Sequence, residues 1–228
     1  MPGFSFRFIV LTGQYYKEII SMEKAIRRRA APEVRQADIL TAALEEFSRH
    51  GFEGARMEDV ARAAKVSKGT VYLYYPTKQA LFEALVMRDI VPRVEMASGF
   101  LTGYDGPIEP ALMRMVEIAA MAIEAGRLPV YPKLLIAEAG RFPELAGFYR
   151  REVVGKMLAA LTALFQRALD RGEVSGITAE MAAHLFMAPV LKATLWSLVF
   201  TDTEAVGFPP LSYLQTHVKV FLRGLNHA

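Results

Sequence analysis

The chain has no cysteine among its 228 residues. That excludes a disulfide framework, a thiol nucleophile and any thiolate-bound metal. Histidine is scarce too: the four stand at positions 50, 184, 217 and 227, without metal-ligand spacing. No serine sits in a nucleophile elbow. A helical enzyme would need titratable groups converging on a pocket, and none is legible, so an enzyme, a metal site and a resident cofactor are not expected. Net charge is small, formally +3. Attraction to an anionic partner must then come from local clusters of Lys and Arg rather than from the whole surface.

Long uncharged apolar runs are also missing. Met181 to Thr201 is long enough to span a bilayer at roughly 20 residues. Lys192 sits at its centre, however, where a charge costs about 2.5–3.5 kcal/mol, and His184 and Pro189 interrupt it further. The run reads as a helix buried in protein. Phe8 to Leu11 is too short for a signal-peptide core, and no small-residue cleavage site follows. A soluble, cytoplasmic protein is the expectation.

What is present is a chain that is 53% hydrophobic, enough to bury a substantial core. Residues 1–21 are rich in Phe and Tyr without helical period, whereas Met22 opens a stretch that reads as a natural start. Residues 1–30 are therefore expected to be a disordered extension ending in a basic arm, Lys24, Arg27, Arg28 and Arg29. From Pro32 the helical signals are strong: Val34, Ala37, Leu40, Ala43, Leu44 and Phe47 recur on one face, and Gly51 supplies a stop.

Met57, Val60, Ala61 and Ala64 form a buried stripe on a short second helix. Ser67 then caps a third helix, Lys68 to Tyr75. Two short helices joined by a tight turn make a helix-turn-helix. Lys68, Gly69 and Thr70 are residues that no core requires, and Lys65, Lys68 and Lys78 cluster without an intervening acid. This favours a DNA-reading helix over a hairpin that merely packs. Thr77 caps the next helix, whose buried side is Leu81, Phe82 and Leu85, and Pro92 should break it. GFLTGYDGP, Gly99 to Pro107, reads as a loop at the domain boundary. Helices then follow over Pro110–Glu124, Leu128–Ala139, Pro143–Arg171, Thr178 to about Phe200 and Leu211–Leu225, with a loop from Thr201 to Pro210.

The stretch AALEEFSRHGFEGARMEDVARAAKVSKGTVYLYYPTKQALFEAL resembles the DNA-binding domain of the TetR/AcrR family of bacterial transcriptional regulators. LLIAEAGRFPELAGFYRREV, Leu134 to Val153, looks like a subgroup in which regulators of efflux and stress genes are common. The resemblance implies an all-α protein: a three-helix helix-turn-helix domain over 31–78, then a helical effector-binding and dimerisation domain over 79–228. It implies that Lys68, Gly69, Thr70 and Tyr72 meet base edges and the adjoining backbone. Tyr74 and Lys78 would hold phosphates and Thr77 would be a further DNA-binding residue, while Val71 and Tyr75 face inward. The family usually has Ser or Thr just before Met57, where this chain has Ala55 and Arg56. Arg56 can grip phosphate but cannot cap the helix.

In such a family an effector pocket would draw on adaptable apolar side chains. The expected wall is Met96, Phe100, Met121, Leu135, Phe148 and Trp196. The last two helices are apolar enough to pair with a second copy through Leu185, Pro189, Ala193, Leu214, Val218, Phe221 and Leu222, giving a twofold homodimer. Glu138 and Arg141, three residues apart on one helix, suggest a local ion pair. The expected function is a repressor released from a palindromic DNA operator by a small hydrophobic effector. The alternatives are an activator, an effector-independent regulator, or a helical protein-interaction module.

Overall fold

The computed structural model describes residues 32–126, 130–200 and 209–226, and every regular element among them is helical. The expected N-terminal extension with its basic arm, and the connection over 201–208, lie outside the described residues.

The first helix, α1 (Pro32–Gly54), buries Ile39, Leu40, Ala42, Ala43 and Phe47. Val34, by contrast, is exposed. Gly51 breaks α1 with φ 70° and ψ 178°, a conformation that glycine reaches without steric cost. The chain thereby turns Phe52 back onto Phe47, with ring centroids 5.5 Å apart. The short helices α2 (Met57–Ala63) and α3 (Lys68–Tyr74) follow. Lys65, in the turn between them, has φ 56°. Then come α4 (Lys78–Asp89) and α5 (Val91–Gly103), which meet at Ile90 with Pro92 in the first turn of α5, where a missing N–H costs nothing.

The remainder is α6 (Ile108–Glu124), α7 (Val130–Glu138), α8 (Pro143–Tyr149), a π-helical turn (Arg150–Gly155), α9 (Lys156–Asp170), α10 (Ala179–Val199) and α11 (Pro210–Asn226). Two sequence expectations are corrected. Helix α5 runs through Gly99 to Gly103, because buried Ala97 and Leu101 anchor it and Arg167 caps the Leu101 carbonyl at 2.6 Å. The Pro143–Arg171 segment is interrupted by the π-helical turn rather than being one α-helix.

The apolar interior forms two clusters that part between Val94 and Ala97. The first holds α1–α4 and the start of α5. It also takes in Tyr131 and Leu134 of α7, Leu145 of α8 and Val153 of the π-helical turn. The second joins α5, α6, α9, α10 and α11 around Leu112, Leu161, Phe165 and Phe186. Helices α7 and α8, though late in sequence, thus pack on the N-terminal unit.

At the α4–α5 joint, the Tyr131 hydroxyl donates to Asp89 Oδ2 at 2.6 Å. Burial, that bond and the carboxylate charge hold the phenol well above its ordinary pKa. Burial alone would raise the Asp89 carboxyl, but bonds from Arg88 and Tyr131 hold it below the usual carboxylate range. Tyr149, the last residue of α8, is pushed up to about 12 by burial.

Candidate nucleic-acid interface

Within the α2–α4 unit, α3 and α4 each start on a local side-chain cap. Ser67 accepts the Thr70 N–H at 3.1 Å, starting α3. Thr77 accepts the Ala80 N–H at 3.0 Å, starting α4. The Ser67 and Thr70 hydroxyls share a further 2.7 Å bond. Such caps contribute about 1 kcal/mol each, a sizeable stabilisation for helices of seven and twelve residues that are marginal in isolation. Helix α2 has no equivalent. Its N-cap is Arg56, which is exposed and makes no side-chain cap, and Ala55 beside it is buried.

Helix α3 has two distinct faces. Val71 is fully buried and Tyr75, just past the helix, is 9% exposed. Lys68, Gly69 and Tyr72 are exposed, and Thr70 and Tyr74 are half-buried. Leu73 is 79% exposed, an outward apolar side chain that sequence reading passed over. A Cβ built on Gly69 would meet only Ser67 Oγ, at 3.9 Å. Its φ is also ordinary, so nothing inside the protein demands glycine there.

Lys68 and Lys78 are both engaged within the protein. Lys68 pairs with Glu58 of α2, both partners being exposed, and lies 5.6 Å from the Tyr72 ring centre. The bond to Lys68 lowers the Glu58 pKa. Lys78 donates to the carbonyls of Phe52 and Glu53 at 2.8 and 2.7 Å. An ammonium has three donors, so one remains for a phosphate. Arg56, Lys68, Gly69, Thr70, Tyr72, Tyr74, Thr77 and Lys78 all belong to this small three-helix unit.

The expected effector wall does not assemble. Leu135 and Phe148 pack on the N-terminal cluster, whereas Met96 and Met121 are 72% and 56% exposed. Phe100 packs on Tyr104, 5.4 Å between centroids, and Trp196 on Phe200 at 4.5 Å. Helical period marks a side chain as apolar but does not say which cluster it joins.

The expected dimer face is corrected for the same reason. Ala193, Leu214 and Val218 are fully buried and Leu222 nearly so, all inside the second cluster of their own protomer. Phe221 is half-buried against that cluster and Pro189 is half-buried, while Leu185 is 46% exposed. An apolar stripe lies on α10: exposed Met181, Leu185, Ala188 and Val199 with half-buried Leu195, and Lys192 stands between Ala188 and Leu195. An open groove along it is lined by Leu191, Trp196 and Phe200 among others. The Lys192 ammonium stands 4.4 Å from the Trp196 ring centre and 4.6 Å from that of Tyr213. By length and composition alone α10 could cross a membrane, but it packs along α9 and α11.

Fold and face together define an all-helical protein with a helix-turn-helix that turns small, polar and basic side chains outward. Residues 39–85 match the family described as "Bacterial regulatory proteins, tetR family", and residues 111–224 match "AefR-like transcriptional repressor, C-terminal domain". The chain belongs to the TetR family of transcriptional regulators. It is 43% identical over 65 residues to the HTH-type transcriptional regulator RutR of Escherichia coli K12, a match covering 28% of this chain and 30% of that one. The match thus spans less than a third of that relative. Among solved structures, a transcriptional regulator from Pseudomonas aeruginosa PAO1 superposes with a TM-score of 0.73 at 24% identity, covering 88% of this chain and 94% of that one. FadR from Bacillus subtilis, in complex with stearoyl-CoA, superposes with a TM-score of 0.68 at 16% identity, covering 82% and 98%. At these identities the two superpositions speak for the fold alone.

Proposed function

We propose that this chain is a cytoplasmic, homodimeric transcriptional repressor that binds an inverted-repeat DNA operator and is released by a small hydrophobic effector. The observation that carries the reading is α3. Lys68, Gly69, Thr70 and Tyr72 stand on its outer face and first turns, where this type of helix enters the major groove, and Gly69 leaves room for close backbone approach. Repression is favoured by the repressor C-terminal family matched over 111–224. The α10 stripe, spaced 4-3-4-3-4 when Lys192 at its middle is included, supports a second copy as the partner, since a twofold axis lets one largely apolar face cover itself. Two protomers would then present two α3 helices.

For the effector, the Bacillus subtilis relative bound to stearoyl-CoA makes long acyl chains the first class to try. An operator duplex recovered by in vitro selection is held with the protein and titrated with stearoyl-CoA and a panel of apolar small molecules, following fluorescence anisotropy. The anisotropy falls with one of them under this reading. Tight binding that no compound in the panel weakens would favour an effector-independent regulator or an activator instead.

A further inference from the structure

The α7–α8 turn belongs to neither the DNA-reading face nor the second apolar cluster, yet it grips the turn at the end of α1 in three ways. Glu138, 8% exposed and the one buried charged side chain among the described residues, accepts the Glu53 N–H at 3.2 Å. Arg141 pairs with the Glu53 carboxylate. The Phe142 ring meets Phe52 edge-on at 4.9 Å. The expected Glu138–Arg141 pair is thereby replaced: both side chains go to Glu53. The fit at Gly51 is close, for a Cβ there would lie 3.4 Å from Glu138 Oε1. On its other side the same turn is held by Lys78 at the start of α4.

The turn leads directly into α2, the one helix of the DNA-reading unit without a side-chain cap. Seven residues with an uncapped start do not fix their own position, so tertiary contacts must. Helix α2 in turn supplies Glu58, which holds Lys68 on α3. A buried carboxylate is costly unless it is hydrogen-bonded, and Glu138 offsets that cost at this turn.

We propose that Glu138 and Arg141 are positioning residues for DNA recognition: they hold the Gly51–Glu53 turn, and through it α2, in the geometry that presents α3 to the operator. This rests on the α2–α4 face being the DNA interface.

The test uses the full chain and a selected operator duplex, reading the ratio of operator to non-specific affinity by fluorescence anisotropy together with amide exchange at Glu53. Glu138→Ala speeds exchange of that amide and lowers the ratio about three- to tenfold, whereas Glu138→Gln, which keeps an acceptor, stays within about twofold of wild type. Glu53→Arg and Arg141→Glu each lower the ratio about two- to fivefold, and the double variant, which restores an opposite-charge pair, recovers it. Reading a ratio cancels the charge each variant adds near DNA. Should Glu138→Ala fail to fold, Glu138→Gln and the charge swap carry the test. Wild-type exchange and an unchanged ratio in Glu138→Ala, or a swap no better than its weaker single variant, overturn the proposal. A wild-type protein that fails to discriminate the operator overturns the DNA reading instead.

Discussion

Lys78 and Phe52 meet twice: the ammonium donates to the Phe52 carbonyl at 2.8 Å and stands 5.2 Å from the centre of its ring. The residue that family resemblance assigns to phosphate contact is therefore also a strut. It closes the end of α1 against the start of α4 across 26 positions of sequence. A third ammonium donor is left for DNA.

Lys78→Ala should act on both functions. Loss of two charge-assisted bonds lowers unfolding free energy by about 1.5–3 kcal/mol, and loss of one phosphate contact flattens the log-log salt dependence of DNA binding by about one unit of slope. Chemical denaturation and salt titrations separate the two. A destabilised variant with an unchanged slope would leave Lys78 a purely structural residue.

Gly69→Ala should separate folding from DNA reading. With only Ser67 Oγ near the new methyl, alanine fits inside the protein and raises helix stability by about 0.5–1 kcal/mol. On the operator the same methyl obstructs close approach and costs about 1–3 kcal/mol of affinity. Equal or better operator binding by the variant would remove Gly69 from the interface.

The Tyr131–Asp89 bond at the α4–α5 joint gives a pH-dependent signature. Tyr131→Phe should lower Tm by about 2–4 °C, the loss of one hydrogen bond in a chain of this size. Asp89→Ala should cost about 1–3 kcal/mol, because the Tyr131 hydroxyl then keeps only the Leu85 carbonyl, 3.5 Å away, as an acceptor. The folded Asp89 pKa is depressed, so its stabilisation is fully present above the unfolded carboxylate value near 3.9 and is lost as pH falls through the lower folded value. The stability gap between wild type and Asp89→Ala is therefore constant above about pH 5 and closes in acid. A gap that widened on acidification would contradict this assignment.

How much of this was legible in the sequence follows from how local each signal is. Ser67 and Thr77 cap residues three positions on, and Gly51 takes a conformation that its own lack of a side chain permits. The helix-turn-helix could be read from such features. Glu138 could not, because its partner lies 85 residues away and the spacing to Arg141 offered a closer, wrong one. Leu214 and Val218 show a second limit: period identifies an apolar face, not whether the same chain or a second copy covers it. Their cover is the chain's own interior, and the uncovered stripe is on α10.

In the proposed function two α3 helices, one from each protomer, read an inverted repeat. Anisotropy titrations should compare the selected inverted-repeat duplex, a single half-site and a scrambled duplex. The expected result is two protomers on the inverted repeat, affinity at least about a hundredfold above the half-site, and a steep loss of affinity with salt. Equal affinity for all three duplexes, or one protomer bound to the inverted repeat, would contradict it.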